Sequence, residues 1–158
     1  MNRNRPILLA TDGSPSAGEA QRQAFDLAKL SGAPVLVVSV SHATLPAVGY
    51  SAYGYSEIVT ELSRAEHKRL DSLLAAVTEA AASEGIDCEA VEADGAIVEE
   101  ICRIAGERRA QLVVVGSHGW GAARRFLSGS VSTGLVHAAP CPVLVVRSAE
   151  GAHERAAA

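Results

Sequence analysis

Hydrophobic positions in this chain fall into two patterns, short continuous runs and longer helical repeats, and the two alternate. Residues 7–11, 35–40, 88–92, 112–116 and 143–146 read as β-strands. The first, second, fourth and fifth are continuously apolar, as expected of strands covered on both faces in a parallel sheet. The third alternates and carries Glu89 and Glu92, the composition of an edge strand. Between the strands, Ser14 followed by Pro15 supplies an N-cap and a first helical residue, and Gly32 a stop. Leu62, Leu70, Leu73, Leu74 and Val77 recur at helical spacing, predicting a long helix over 56–84 closed by Gly85. Asp94 precedes a helix bearing Ile97, Ile101 and Ile104, and a last short helix opens near Gly129 and Ser130 and ends before Pro140.

Strands alternating with helices imply right-handed β-α-β units. The fold class expected is α/β, a doubly wound, five-stranded, mainly parallel sheet of order 3-2-1-4-5 with helices on both faces. One domain spans 1–147, a flexible tail follows over 148–158, and 40–56 holds the one long internal loop. In such sheets ligands bind beyond the C-terminal ends of the strands, so chemistry is expected just after strands one, two and four.

Composition narrows the function classes. Of 158 residues, 48% are hydrophobic and only 4% aromatic, a core of small aliphatics suited to helices on a Val-rich sheet. A net charge of −4 gives no general attraction to nucleic acid or an anionic membrane. The apolar run after Pro6 is too short for a signal peptide core or a membrane span, so a cytoplasmic location is expected. Cys88, Cys102 and Cys141 lack metal-binding spacing and read as free thiols, and His42, His67, His137 and His153 are scattered.

The densest chemistry is the segment 113–131, VVVGSHGWGAARRFLSGSV. A buried strand ends at Gly116, and a loop of small and basic residues leads to the last helix. Glycines at Gly116, Gly119 and Gly129 let backbone amides approach phosphate oxygens, and a helix N-terminus favours an anion. The Ser130 hydroxyl can donate a further hydrogen bond. The spacing Gly-x2-Gly-x9-Gly-Ser has no lysine before Ser130 and so is not a Walker A loop. It also lacks GxGxxG with an acidic residue ending strand two, which disfavours a dinucleotide site. On the residues alone, phosphate binding and a tight glycine-rich turn both stand.

Together with ILLATDGSPSA near the N-terminus, Asp94-Gly95-Ala96-Ile97 and APCPVLVVR near the C-terminus, this segment resembles the universal stress proteins, in particular their ATP-binding members. The resemblance implies an ATP-binding regulatory module of the stress response, at most a weak ATPase. By position it implies that Asp12 lies close to the nucleoside and that the backbone at Val40 recognises the adenine edge. Val115 and Gly116 would line base and ribose, and Gly119, Gly129, Ser130 and Val131 would form the phosphate turn. His118, in the same loop, is grouped with the nucleotide-binding residues; as a general base it lacks an acidic partner in the sequence. The resemblance further implies a homodimer through the last strand, between Pro142 and Arg147, and a regulatory protein partner. Trp120 and Gln111 depart from the family's usual pattern without touching the glycine signature.

Each signal has a plainer reading. Asp12 can cap the first turn, and Arg124 and Arg125 can be solvated surface residues instead of phosphate contacts. Tyr50, Tyr53 and Tyr55 can pack a loop onto the long helix instead of forming a lid. The rival functions are a slow ATP hydrolase or phosphotransferase, with Mg2+ bridging the phosphates, and a nucleotide-free dimeric interaction module.

Overall fold

The computed structural model describes residues 2–41, 55–117 and 130–147, without the side chains of 55–60, 62 and 130. In chain order the elements are β1 (Ile7–Ala10), α1 (Pro15–Ser31), β2 (Val35–Ser41), α2 (Tyr55–Ser83), β3 (Cys88–Asp94), α3 (Ile97–Glu107), β4 (Leu112–Gly116), α4 (Ser130–Ala138) and β5 (Val143–Val146). The strands form one parallel sheet of order β3-β2-β1-β4-β5. Both the order and the fold class agree with the sequence reading.

Side-chain alternation splits the core into two layers. Ile7, Leu9, Val35, Val37 and Val114 face one way and pack with Phe25 and Ala28 of α1 and Leu74, Val77 and Ala81 of α2. Leu8, Ala10, Leu36, Val38, Val40, Val113 and Val115 face the other way, against Ile101 and Ile104 of α3 and Leu135 of α4. Each valine, leucine, isoleucine or phenylalanine side chain taken out of water contributes about 1.5–3 kcal/mol before chain entropy is subtracted, which is why the central strands are aliphatic through most of their length, Ser39 and Ser41 at the end of β2 excepted.

Helix boundaries follow the local chemistry. The Ser14 hydroxyl accepts from the Ala17 amide at 3.2 Å, Pro15 is the first helical residue, and Gly32 closes α1 in the left-handed conformation. α2 opens at Tyr55, one residue earlier than its pattern suggested, and Asp94 ends β3 without capping α3, whose N-cap is Ala96 with no side-chain bond.

β5, the second edge of the sheet as the order 3-2-1-4-5 has it, is covered only in part: all four of its residues are half-buried, Leu144 and Val146 against the α1/α2 layer and Val143 and Val145 against the α3/α4 layer. The other edge, β3, is the charged strand that the alternation predicted.

Candidate functional site

β1 ends at Ala10, and Thr11, Asp12 and Gly13 carry the chain out of the sheet to the start of α1. The Thr11 amide donates to the Val38 carbonyl at 2.9 Å, and the Ser39 hydroxyl donates to the Thr11 carbonyl at 2.8 Å. The Ser14 amide donates to Asp12 Oδ1 at 2.9 Å, an Asx turn that holds the carboxylate against the start of α1. Asp12 therefore caps its own turn, as the plainer reading had it, while also standing at the strand end where a ligand is expected.

Burial of polar groups singles out the same end. Among the described residues the buried polar side chains are Thr11, Ser16, Ser39, Ser41 and Ser132. Thr11 follows β1, and Ser39 and Ser41 end β2. Ser16 and Ser132 stand in the first turns of α1 and α4, the helices that follow β1 and β4 in the chain. An otherwise aliphatic interior thus concentrates its hydroxyls at the C-terminal end of the sheet. Buried hydroxyls require partners, and every buried side-chain N and O among the described residues has one.

Strand register orients the backbone here. In a parallel ladder, alternate residues aim both their N–H and C=O at the same neighbouring strand. The Ser41 carbonyl accepts from Gly95 on the β3 side, and the Val38 carbonyl accepts from Thr11 on the β1 side. Val40, in step with Val38, therefore directs its backbone groups to the β1 side, beyond the point where β1 has ended at Ala10. Its side chain is buried in the α3/α4 layer.

On β4, the amides of Val113 and Ser117 donate to Pro142 and Val146, so Val115, in step with them, faces β5 and Gly116 faces β1. Val115 is buried in the α3/α4 layer. A side chain at Gly116 would place its Cβ 2.6 Å from Ser16 Oγ and 2.7 and 2.8 Å from the Ser16 carbonyl carbon and oxygen. Glycine at 116 is thus required by the close approach of α1, whatever else it does. Val131 is half-buried in the first turn of α4, and Ser130 is that helix's first residue. His118, Gly119, Trp120, Arg124, Arg125, Gly129, Tyr50 and Tyr53 lie outside the described residues, as does the side chain of Tyr55.

Two groups on α2 escaped the sequence reading. Arg69 pairs with Glu66 through Nε and Nη2, at 3.0 and 2.8 Å, and its Nη1 donates to the Asp12 carbonyl at 3.3 Å. The Glu66 hydrogen bond, with the Asp12 charge adding, holds its pKa above the ordinary guanidinium value. His67 pairs through Nδ1 with Glu92 and lies 3.9 Å from Asp94 through Nε2. The hydrogen bond to Glu92 raises its pKa above 6.5, helped by the charges of Glu92, Asp94 and Asp71. In sequence both residues look like a solvated helix face; only the return of α2 over the sheet gives them partners.

The described cysteines are free, and burial pushes the Cys88 thiol up to about 11, far from a reactive thiolate. Among the described residues no group of three or more His, Cys, Asp or Glu side chains could hold a metal ion, and no helix is long and apolar enough to cross a membrane.

Known proteins share this architecture. A universal stress protein of Methanocaldococcus jannaschii is 33% identical over 146 residues, covering 92% of this chain and 84% of its own. The solved structure of UspA from Lactobacillus plantarum superposes with a TM-score of 0.79 at 23% identity, covering 93% of this chain and all of the other. A universal stress protein from Archaeoglobus fulgidus, solved in complex with dAMP, superposes with a TM-score of 0.59 at 26% identity, covering 92% and 99%. The profile of the universal stress protein family matches residues 3–147, from the chain entering β1 to the residue after β5, and with that match the chain belongs to the universal stress protein family.

Proposed function

We propose that this protein binds an adenine nucleotide, ATP foremost, in the crevice beyond the C-terminal ends of β1, β2 and β4, and serves as a nucleotide-linked regulatory module instead of a dedicated enzyme. The observation that carries the reading is the gathering of Thr11, Ser16, Ser39, Ser41 and Ser132 at that one end of an aliphatic core. The crevice lies between β1 and β4, where the connections turn to opposite faces of the sheet, the usual ligand position in this class of fold. The dAMP-bound relative, of the same fold, supports an adenine nucleotide as the ligand.

Roles follow from donor and acceptor chemistry. Val40 offers one backbone N–H and one C=O, a pair suited to the edge of adenine. Asp12 offers a carboxylate, which accepts from ribose hydroxyls and repels phosphate, so it belongs at the nucleoside end. Val115 and Gly116 line base and sugar. The amides of Gly119, Gly129, Ser130 and Val131, with His118 beside them, take the phosphates at the N-terminus of α4.

Titration calorimetry with ATP, ADP, AMP and adenosine tests this, using wild type beside a Gly129→Val, Ser130→Ala variant. Binding by wild type that is lost in a variant with unchanged circular dichroism is the expected result. Failure of wild type to bind any of the four would leave a nucleotide-free interaction module in its place. The same reading includes a homodimer through β5, whose half-buried Val-Leu-Val-Val edge is flanked by α4 with Val136 58% exposed. Light scattering that returns the mass of one subunit at micromolar concentration would remove the dimer.

A further inference from the structure

We propose that Arg69 is a positioning residue of the nucleotide site: α2 grips the turn at Asp12 through it and so holds the carboxylate in its ligand-accepting place. The proposal rests on the nucleotide reading above and extends it to a residue on a helix outside the glycine signature.

Two successive positions on one face of α2 meet the turn. Arg69 Nη1 donates to the Asp12 carbonyl at 3.3 Å. One helical turn on, Leu73 Cδ1 lies 3.4 Å from where a Cβ on Gly13 would stand. Asp12 is consequently held at both ends, by the Ser14 amide on its carboxylate and by the Arg69 guanidinium on its carbonyl. Glu66 sets the plane of that guanidinium by taking Nε and Nη2 in a two-pronged contact, which leaves Nη1 aimed at the turn.

The helix that makes this grip follows β2, the strand that contributes Val40. Chain leaving the base-reading strand therefore returns to fix the sugar-reading turn. A guanidinium beside Asp12 also offsets the repulsion between that carboxylate and a phosphate-bearing ligand. A surface ion pair between Arg69 and Glu66 alone would contribute little to stability and would not concern the ligand at all. The bond from α2 to the carbonyl of a site residue is what separates the two cases.

The test is a double-mutant cycle read by ATP titration on the full chain: wild type, Arg69→Ala, Asp12→Ala and the double variant. Arg69→Ala should weaken ATP about fivefold in wild type and less than about twofold once Asp12 is gone, because its effect passes through that residue. Arg69→Lys, which keeps a donor and the charge, should recover part of the loss. The affinity ratio of ATP to 2′-deoxy-ATP provides a second readout, valid even if Asp12→Ala binds too weakly to titrate. That ratio should fall in Arg69→Ala, since the ribose hydroxyl is the donor Asp12 accepts. Equal losses with and without Asp12, an unchanged ratio, or no loss in Arg69→Ala would each overturn the assignment while wild-type binding stands. No ATP binding by wild type would instead remove the nucleotide reading and this proposal together.

Discussion

Replacing Gly116 by alanine tests whether its glycine is set by packing. The new Cβ would stand 2.7 Å from the Ser16 carbonyl carbon and 2.8 Å from its oxygen. Carbon atoms in contact ordinarily sit at 3.5–4.0 Å, so the first turn of α1 would have to retreat by roughly 0.8 Å. Two of the three close atoms are backbone, and no rotamer change relieves them. The cost should lie toward the upper end of the range for overpacking, about 2–3 kcal/mol. For a domain of this size that corresponds to a fall in melting temperature of about 5–10 °C. Thermal and urea denaturation followed by circular dichroism give the number.

A paired comparison makes the reasoning sharper. Ser16→Ala removes only the hydroxyl, at 2.6 Å, and should rescue little of the loss. At Gly134 the offending atoms belong to the Val98 side chain, the nearest at 2.8 Å. There Val98→Ala should relieve the clash and leave the helix-propensity gain of alanine, about 1 kcal/mol. A Gly116→Ala protein as stable as wild type, or one fully rescued by Ser16→Ala, would refute the claim that the backbone of α1 dictates this glycine.

Two further outcomes follow from the surface. The raised pKa of His67 means that its pairing with Glu92 and Asp94 is fully stabilising below pH 6.5 and is lost as pH rises through the raised value. The stability difference between wild type and His67→Gln in urea should therefore shrink as pH climbs above neutrality; a difference that does not change with pH would refute it. Arg109 is exposed and holds a left-handed φ of 51°, while its carbonyl accepts from Arg5 Nε at 2.8 Å, a bond that survives loss of the side chain. Arg109→Gly should stabilise by about 0.5–1 kcal/mol, seen as a rise of about 1–4 °C in melting temperature, and a fall would refute the strain.

The fold was legible because its signals are local. Runs such as ILLA and LVVVG, short and bounded by turn residues, suit strands buried on both faces, and Ser14-Pro15 and Gly32 mark helix ends through their own backbone chemistry. β5 has the same apolar composition as the central strands, so its half-buried state shows only in the strand order and not in its residues. The site was legible in part. Asp12, Val40 and Gly116 stand at strand ends that the β-α-β pattern places at one end of the sheet. Arg69 and the His67 pair were not, because their partners lie 57 and 25 residues away and nothing in the helix pattern points to them. The hydroxyls of Ser39 and Ser41 were hidden likewise inside a run that scores as apolar strand.

The two edges of the sheet differ in a way that sets how far these molecules could stack. β3 presents Glu89, Glu92 and Asp94, engaged with Arg108 and His67, and a strand approaching that edge would have to desolvate these charges. β5 presents only valine and leucine. Were two copies to join along β5, each would offer the next arrival nothing but its guarded β3 edge. Growth would end with a closed pair, and a chain with an apolar, pairing-competent edge strand would be kept out of fibrils by the composition of its opposite side.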